Sequence, residues 1–319
     1  MKIVSLSFLI VSAAASAWSC DLCSVYSANQ AHGERGKGFF AGVGEQYTHF
    51  GTMQMDGVEV PNTVDQHLDS VISQVLIGYN FNDKFGLQLN TPFIYRSFRR
   101  PDGFAIDEGT EAGVGDISLL GNWRVLRLEE KNSTFLWNVL GGVKMPTGSS
   151  DRIYEEVLEL TAPPPPVGAP DSGIHGHDLA LGSGSFDGLI GTGVFGRYKR
   201  AFLTANVQYS IRSTGDFDYR YANDLMWSGG PGAYVLLNEE HTISLQLIVS
   251  GEHKGKDTFQ GMNADDTGVT AVYLGPQINF SWSDHLSAEI GADFPVSIQN
   301  TDLQTVPDYR VRGGLTWHF

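Results

Sequence analysis

Apolar and polar residues alternate with a period of two along most of the chain, which predicts β-strands with one apolar and one polar face. Between residues 286 and 299 one face carries only apolar residues: Leu286, Ala288, Ile290, Ala292, Phe294, Val296 and Ile298. Similar alternation occurs in segments 71–81, 85–95, 117–125, 135–145, 186–198, 203–212, 225–237, 243–251 and 272–282. The pattern predicts about twelve strands, from near Phe39 to Phe319.

The last predicted strand ends on an aromatic residue. Its apolar face consists of Tyr309, Val311, Leu315, Trp317 and Phe319. In a soluble sheet this face would cover a core, but it also suits a strand with lipid outside and an aromatic girdle at the membrane edge. The strand resembles the C-terminal sorting signal of bacterial outer-membrane barrels. That resemblance implies that these five residues form an assembly signal read by the barrel-assembly machinery.

The predicted connections alternate between short and long. Short turns are predicted at 82–83, 127–132, 199–200, 238–240 and 283–284, and longer links at 51–65, 99–111, 147–185, 213–219, 253–267 and near 300–305. Outer-membrane barrels have short periplasmic turns and longer extracellular loops, whereas a soluble sandwich or lipocalin-like barrel has no reason for strict alternation. We therefore predict an all-β fold, an antiparallel transmembrane barrel of about twelve strands.

The N-terminal residues resemble a secretory signal. Met1 and Lys2 precede an apolar run from Ile3 to Val11, and Ala15-Ser16-Ala17 offers a cleavage site. We predict a signal peptide at 1–17, a periplasmic segment at 18–37 and the barrel at 38–319. No later stretch has about 18 uninterrupted apolar residues, which argues against a transmembrane helix.

Composition adds two constraints. Hydrophobic residues make up 41% of the chain, which suits a barrel because half of each strand faces water. The formal net charge of −15 argues against nucleic acid as a partner.

Charged residues recur on the predicted inward face of the strands. An Arg or Lys facing lipid at the bilayer midplane costs about 2–4 kcal/mol, so this parity favours a polar lumen. The predicted lumen-lining residues are Arg96, Asp116, Arg124, Lys144, Asp187, Arg197, Arg212, Glu252, Glu289, Asp293, Arg310 and Arg312. Such a lining can form a selective aqueous pathway or cross-link into ion pairs that plug the barrel.

Cys20 and Cys23 are the two cysteines of the chain and form a C-x-x-C pair before the first strand. Ser24 stands where covalent haem attachment needs His, so that chemistry is not supported. Export to an oxidising compartment favours a small-loop disulfide, and a periplasmic redox or metal-relay role is the alternative. Lipidation of Cys20 is disfavoured because Trp18 fits a lipobox poorly.

The longest link carries a second group of chemically interesting residues. His175, His177 and Asp178 could bind a divalent cation, and a solvated loop is the alternative. A preceding tract of four prolines is stiff, so we expect this link to stand off the rim of the barrel. No G-x-S-x-G or H-E-x-x-H motif occurs, and we predict neither enzymatic activity nor a cofactor.

Three segments together resemble a known family. They are residues 113–124 (GVGDISLLGNWR), 142–148 (GVKMPTG) and 181–188 (LGSGSFDG). Their order is similar to that in the outer-membrane transporter-like family named for the meta pathway of phenol degradation. The resemblance runs from about residue 70 to the C-terminus and implies passage of small, apolar or aromatic compounds. The Cys pair and the proline tract are not part of that pattern.

Two functional hypotheses follow from the sequence. The first is an outer-membrane channel that passes small solutes passively, with lipid and the solute as its partners. The second is a structural or partner-binding barrel with a plugged lumen, in which the Cys20–Cys23 segment docks a periplasmic redox or metal protein. Both hypotheses place the protein in the outer membrane.

Overall fold

The chain forms a closed antiparallel β-barrel. The computed structural model describes residues 37–161, 166–238 and 240–319, with side chains omitted at 159–161. The strands are β1 (Gly38–Met55), β2 (Val58–Val60), β3 (His67–Asn80), β4 (Phe85–Asp102), β5 (Ala105–Val114), β6 (Ser118–Glu130), β7 (Ser133–Lys144), β8 (Asp187–Tyr198), β9 (Ala201–Ile211), β10 (Tyr219–Arg220), β11 (Asp224–Leu237), β12 (His241–Lys254), β13 (Thr258–Phe259), β14 (Met262–Asn263), β15 (Val269–Trp282), β16 (Leu286–Asn300) and β17 (Leu303–His318). The helices are α1 (Asp151–Thr161) and α2 (Gly176–Leu179), with 3-10 turns at Asp216–Asp218 and Asp265–Thr267.

Twelve strand positions make up the barrel wall. Each wall strand pairs with its neighbours in chain order, and β17 pairs with β1 to close the circle. The strands β5 and β6 lie end to end, because both pair with β4 and together fill one position. The short strands β2, β10, β13 and β14 belong to the connections. The prediction of an antiparallel barrel of about twelve strands is confirmed.

The closing seam joins the first and last wall strands. It runs from Phe40 opposite His318 to Met55 opposite Leu303, with irregular pairing around Phe50. Side chains reinforce the seam on its outer surface toward the long-loop end. There, the Thr52 hydroxyl donates to Asp308 Oδ1 at 2.5 Å, and the rings of Tyr47 and Tyr309 have centroids 5.9 Å apart.

The outer surface of the barrel is apolar, as the alternation predicts. Ile290, Phe294 and Val296 on β16 are each more than half exposed, and Tyr309, Val311, Leu315 and Phe319 are exposed near or along β17. Aromatic side chains cluster where the short turns lie. Phe39 and Tyr79 have ring centroids 4.7 Å apart, and Trp282 and Trp317 are 5.9 Å apart. This arrangement matches an aromatic girdle at the periplasmic membrane interface.

Two predicted long links are largely strand. We expected loops at 51–65 and 99–111, but β1 continues to Met55 and turns into β2, and β4 continues to Asp102 and pairs with β5. Backbone hydrogen bonds therefore extend the wall at the extracellular end. Period-two patterning missed these extensions because a strand outside the lipid has no need of an apolar outer face.

The expectation for the longest link is wrong. Its described part folds inward rather than standing off the rim: Gly173 N donates to Gln66 Oε1, at 2.9 Å, and its carbonyl accepts from Thr305 N, at 2.7 Å. These partners precede β3 and lie on β17, and other contacts reach β4. The link thus crosses the extracellular mouth. Among the described residues, no helix is long and apolar enough to cross a membrane.

The lipid-facing surface yields a depth-dependent prediction. Replacing Ile290 by Arg puts a charge in the apolar belt and should destabilise the barrel by about 2–4 kcal/mol, whereas Leu128→Arg, near a periplasmic turn, should cost about 1 kcal/mol or less. Denaturant unfolding in lipid vesicles measures both. Equal losses for the two variants would contradict the assigned membrane position.

Candidate functional site

Charged side chains occupy the lumen at two heights. One group lies near the extracellular mouth and contacts the link between β7 and β8, which we call the mouth link (residues 145–186). The second group lies deeper, beside a cavity. The inward charges therefore form ion pairs under the mouth link and, deeper in the same barrel, border a cavity.

A buried ionic cluster anchors the C-terminal end of the mouth link. Lys144 Nζ lies 3.0 Å from carboxylate oxygens of both Asp116 and Asp187, and Arg212 Nη1 donates to Asp187 Oδ2 at 2.7 Å. Ser183 of the mouth link donates its amide and hydroxyl to Asp116, at 2.9 and 2.8 Å. Each charge in this cluster has an opposite charge as a partner, which is the condition for burying it.

Two arginines of β4 hold the middle of the mouth link. Arg96 donates to the carbonyls of Asp178 and Ala180, the latter at 2.9 Å. Arg100 donates to the carbonyl of Ile174 at 3.4 Å and pairs with Glu155 of α1 at 3.1 Å. Hydrogen bonds from a charged donor are worth about 1.5–3 kcal/mol each, so these contacts fix the link over the lumen.

Apolar packing reinforces the closure. Ile174 and Leu179 are buried against Phe50, Leu68 and Phe98 of the wall. On the other side of the mouth, Ile153 and Ala180 pack with Tyr219, Tyr221 and Phe259, which belong to the later loops. Since these partners come from widely separated parts of the wall, the link covers the mouth as a packed layer.

The residues that we considered as metal ligands form a salt-bridge network instead. His177 is buried, with Nδ1 2.8 Å from Glu156 Oε2 of α1 and Nε2 3.3 Å from Asp178 Oδ1. His175 Nε2 faces Asp266 Oδ2 at 3.4 Å. Across the described residues, no group of three or more His, Cys, Asp or Glu side chains is arranged to hold a metal ion.

This network shifts the proton affinities of its members. Burial favours the neutral form of His177, but Asp178 and Glu156 outweigh burial and raise the pKa of His177 well above its ordinary value. Burial likewise favours protonated Glu156, but the charges of His177 and His175 and hydrogen bonds from His177 lower the pKa of Glu156 to about 2. The pKa of Asp266 is raised by burial. The network therefore favours the charged forms of both His177 and Glu156.

The deeper charges form a second network. Arg310 Nη2 donates to Glu252 Oε1 at 3.1 Å. Because β15 and β16 lie between β12 and β17, this contact requires both side chains to extend along the inner wall. Arg312 donates to Asp293 at 2.8 Å and to Gln277 at 2.5 Å. Gln277 in turn donates to Glu289 at 3.1 Å.

A cavity of about 200 Å³ lies beside this network. Its lining includes Glu289, Asp293, Arg310 and Arg312 and many carboxamide and hydroxyl side chains. The middle of the barrel is thus an open space bordered by both polar and apolar side chains rather than a packed apolar core. It lies within the membrane-spanning wall, below the mouth link.

The remaining predicted lumen residues lie elsewhere. Arg124 is buried on the inner face of β6, and Arg197 lies near a periplasmic turn, where it donates to Thr134 at 2.9 Å. Cys20 and Cys23, the cleavage site and nearly all of the predicted 18–37 segment lie outside the described residues.

Sequence reasoning missed the partners that close the mouth. Gln66, Glu156 and Ser183 are all buried and bind across the mouth, yet none stands out in an alternating pattern. The one available signal was the Gly-Ser run at 182–185. It belongs to the family-like segment 181–188, and the structure shows its serines inside the ionic cluster.

The closed wall, the apolar belt and the polar interior define an outer-membrane β-barrel, and the protein belongs in the outer membrane. The solved outer-membrane channel COG4313 from Pseudomonas putida F1 is similar in fold, with a TM-score of 0.62 over 93% of this chain and 100% of that chain. Sequence identity is 14%, so the likeness concerns the fold.

Other similar structures are more distant barrels. The translocator domain of the autotransporter NalP from Neisseria meningitidis has a TM-score of 0.41 at 12% identity, over 89% of this chain and 90% of that chain. The NanC porin has a TM-score of 0.40 at 10% identity, over 88% and 100%. No family model matches the chain, and no curated protein is significantly similar to it. The resemblance to the meta-pathway family therefore stays a prediction.

The pKa shifts predict a pH profile for the mouth network. The pKa of His177 is higher in the folded state than in the unfolded state, so protonated His177 stabilises the fold. This contribution to the free energy of unfolding is complete below about pH 6.5. Above that pH it declines by up to about 1.4 kcal/mol per pH unit, until the pH exceeds the raised pKa. On the acid side, the Glu156 contribution is complete above about pH 4.5 and is lost as pH falls toward 2.

Comparing denaturant unfolding of wild type and His177→Gln across pH 3–10 measures this contribution. The difference should be largest between about pH 5 and 6.5. His285→Gln, at a periplasmic turn, serves as the control and should follow wild type. A wild-type to His177→Gln difference that does not change with pH would contradict the assigned ion pairs.

Proposed function

We propose that the protein is an outer-membrane channel for small polar solutes whose extracellular mouth is closed by the mouth link in the state described here. The polar cavity within a closed barrel is the observation that carries the proposal. A barrel with a purely structural role gains nothing from an open centre, because packed side chains would stabilise it more.

The barrel size is consistent with a narrow path. Eight strands leave an interior just wide enough for side chains to fill, and sixteen-stranded porins leave a wide aqueous channel. Twelve strands lie between these cases. The lumen therefore suits solutes smaller than those that general porins admit.

Closure by the mouth link gives the channel a gate. The link is held by directional contacts from Arg96 and Arg100 and by a limited apolar layer, and it is continuous with the wall at both ends. Leu181 N and Gly182 N both donate to Ser149 O, at 3.1 and 2.9 Å, so the segment between them forms a lobe on a narrow base. Such a lobe can move without disturbing the strands.

Closure of the lumen by the mouth link is also consistent with the alternative, a barrel that does not conduct. In that case the mouth link would be a permanent part of the core, and a partner would dock elsewhere, such as at the segment with Cys20 and Cys23. The two functions differ in one measurable property, which is ion conductance when the link is loosened.

Arg96→Ala should loosen the link, because it removes charged hydrogen bonds to two carbonyls. We expect channel openings to become about tenfold or more frequent, from a loss of roughly 1.5–3 kcal/mol per bond. Single-channel recording in planar bilayers measures the opening frequency, and heat-modifiable gel mobility verifies folding.

Arg99→Ala is the matched control, because Arg99 lies on the same strand and pairs with Glu108 on the surface. It should open as rarely as wild type. If Arg96→Ala is folded and also stays closed, the gated-channel proposal fails and the plugged barrel is favoured.

A further inference from the structure

Carboxamide side chains converge on the lumenal cavity from several strands. Gln46 lies on β1, Gln74 on β3, Asn122 on β6, Asn138 on β7 and Gln246 on β12, and all line the cavity. Their shared chemistry distinguishes this level of the lumen from the ionic cluster at the mouth. A carboxamide offers both hydrogen-bond donors and an acceptor.

Two of these carboxamides have an oxygen without a hydrogen-bond partner among the described residues. Asn122 is buried, and neither its Oδ1 nor Asn138 Oδ1 accepts a hydrogen bond from the described residues. The hydroxyl of Ser250, which also lines the cavity, is likewise without a partner there. Buried polar atoms are almost always hydrogen-bonded, so the side chains around this cavity carry hydrogen-bonding capacity that their contacts with the described residues do not use.

Both arginines beside the cavity are already paired with carboxylates. Arg310 pairs with Glu252 and Arg312 with Asp293, and Glu289 accepts from Gln277. An anionic solute would have to compete with Glu252 and Asp293 for the two arginines. An uncharged solute with several hydroxyl groups can bind the carboxamides without disturbing them.

The geometry points to a binding site for a neutral polyhydroxylated solute, a sugar or polyol of roughly monosaccharide size, in the middle of the lumen. The cavity of about 200 Å³ lies below the roughly 300–1,000 Å³ typical of pockets for drug-sized ligands. This inference rests on the proposed channel function and names its solute class. It replaces the apolar or aromatic solutes that the family resemblance implied.

Equilibrium binding tests the site without requiring the gate to open. Saturation-transfer NMR on the purified full-length protein in detergent compares glucose, gluconate, glucosamine and benzyl alcohol. Glucose should bind most tightly. In the double variant Asn122→Leu/Asn138→Leu, glucose affinity should fall at least about fivefold, as expected for losing hydrogen bonds of ordinary strength.

Asn90→Leu is the control, because Asn90 is also a buried carboxamide but does not line the cavity. It should bind glucose within about twofold of wild type. Tighter binding of gluconate or glucosamine would overturn the inference in favour of a charged solute, and tighter binding of benzyl alcohol in favour of an apolar one. Absence of glucose binding, or equal loss in the control, would also overturn it.

The failures of the two proposals are distinguishable. If Arg96→Ala conducts ions but glucose does not bind, the channel stands and the solute class is wrong. If glucose binds at the carboxamides but the folded Arg96→Ala variant never conducts, the channel proposal is wrong and the cavity is a binding site in a closed barrel.

Discussion

The structure depends on one constraint, that backbone amide and carbonyl groups within lipid must be hydrogen-bonded to other backbone groups. A sheet meets this constraint only when its first and last strands pair, as β1 and β17 do along their length. Closure sets the other features. The strands must alternate lipid-facing and lumen-facing residues, and the lumen must hold whatever polar groups the sequence places on the inner face.

The interior of the barrel differs between the extracellular mouth and the middle of the membrane. At the mouth, buried charges are tolerated because Lys144 and Arg212 neutralise Asp116 and Asp187 and the mouth link covers them. Deeper in the barrel the link no longer reaches, and polar side chains border an open space. A single barrel thus combines a closed extracellular end with an open space at its centre.

The wall could be predicted from the sequence because its signal is local and repetitive. On β16 the outward set of apolar residues identified both the strand and its orientation, and short turns such as the one at 283–284 fixed the order of the connections. The same parity placed charged residues such as Asp293 and Arg312 on the inner side. The extracellular hairpins and the mouth link could not be predicted, because no lipid imposes a period of two there. Gln66, Glu156 and Ser183 owe their positions to contacts across the barrel, which no sequence spacing records.

The central claim is that the mouth link is a removable cover over a conducting lumen. Because Ser149 and Leu181 are hydrogen-bonded neighbours, residues 151–179 can be replaced by a short Gly-Ser linker without separating β7 from β8. Single-channel conductance of this variant, compared with wild type in the same planar bilayer, is the most direct test. The account predicts a folded barrel with long-lived open channels where wild type is mostly closed. A folded variant that remains as closed as wild type would contradict it.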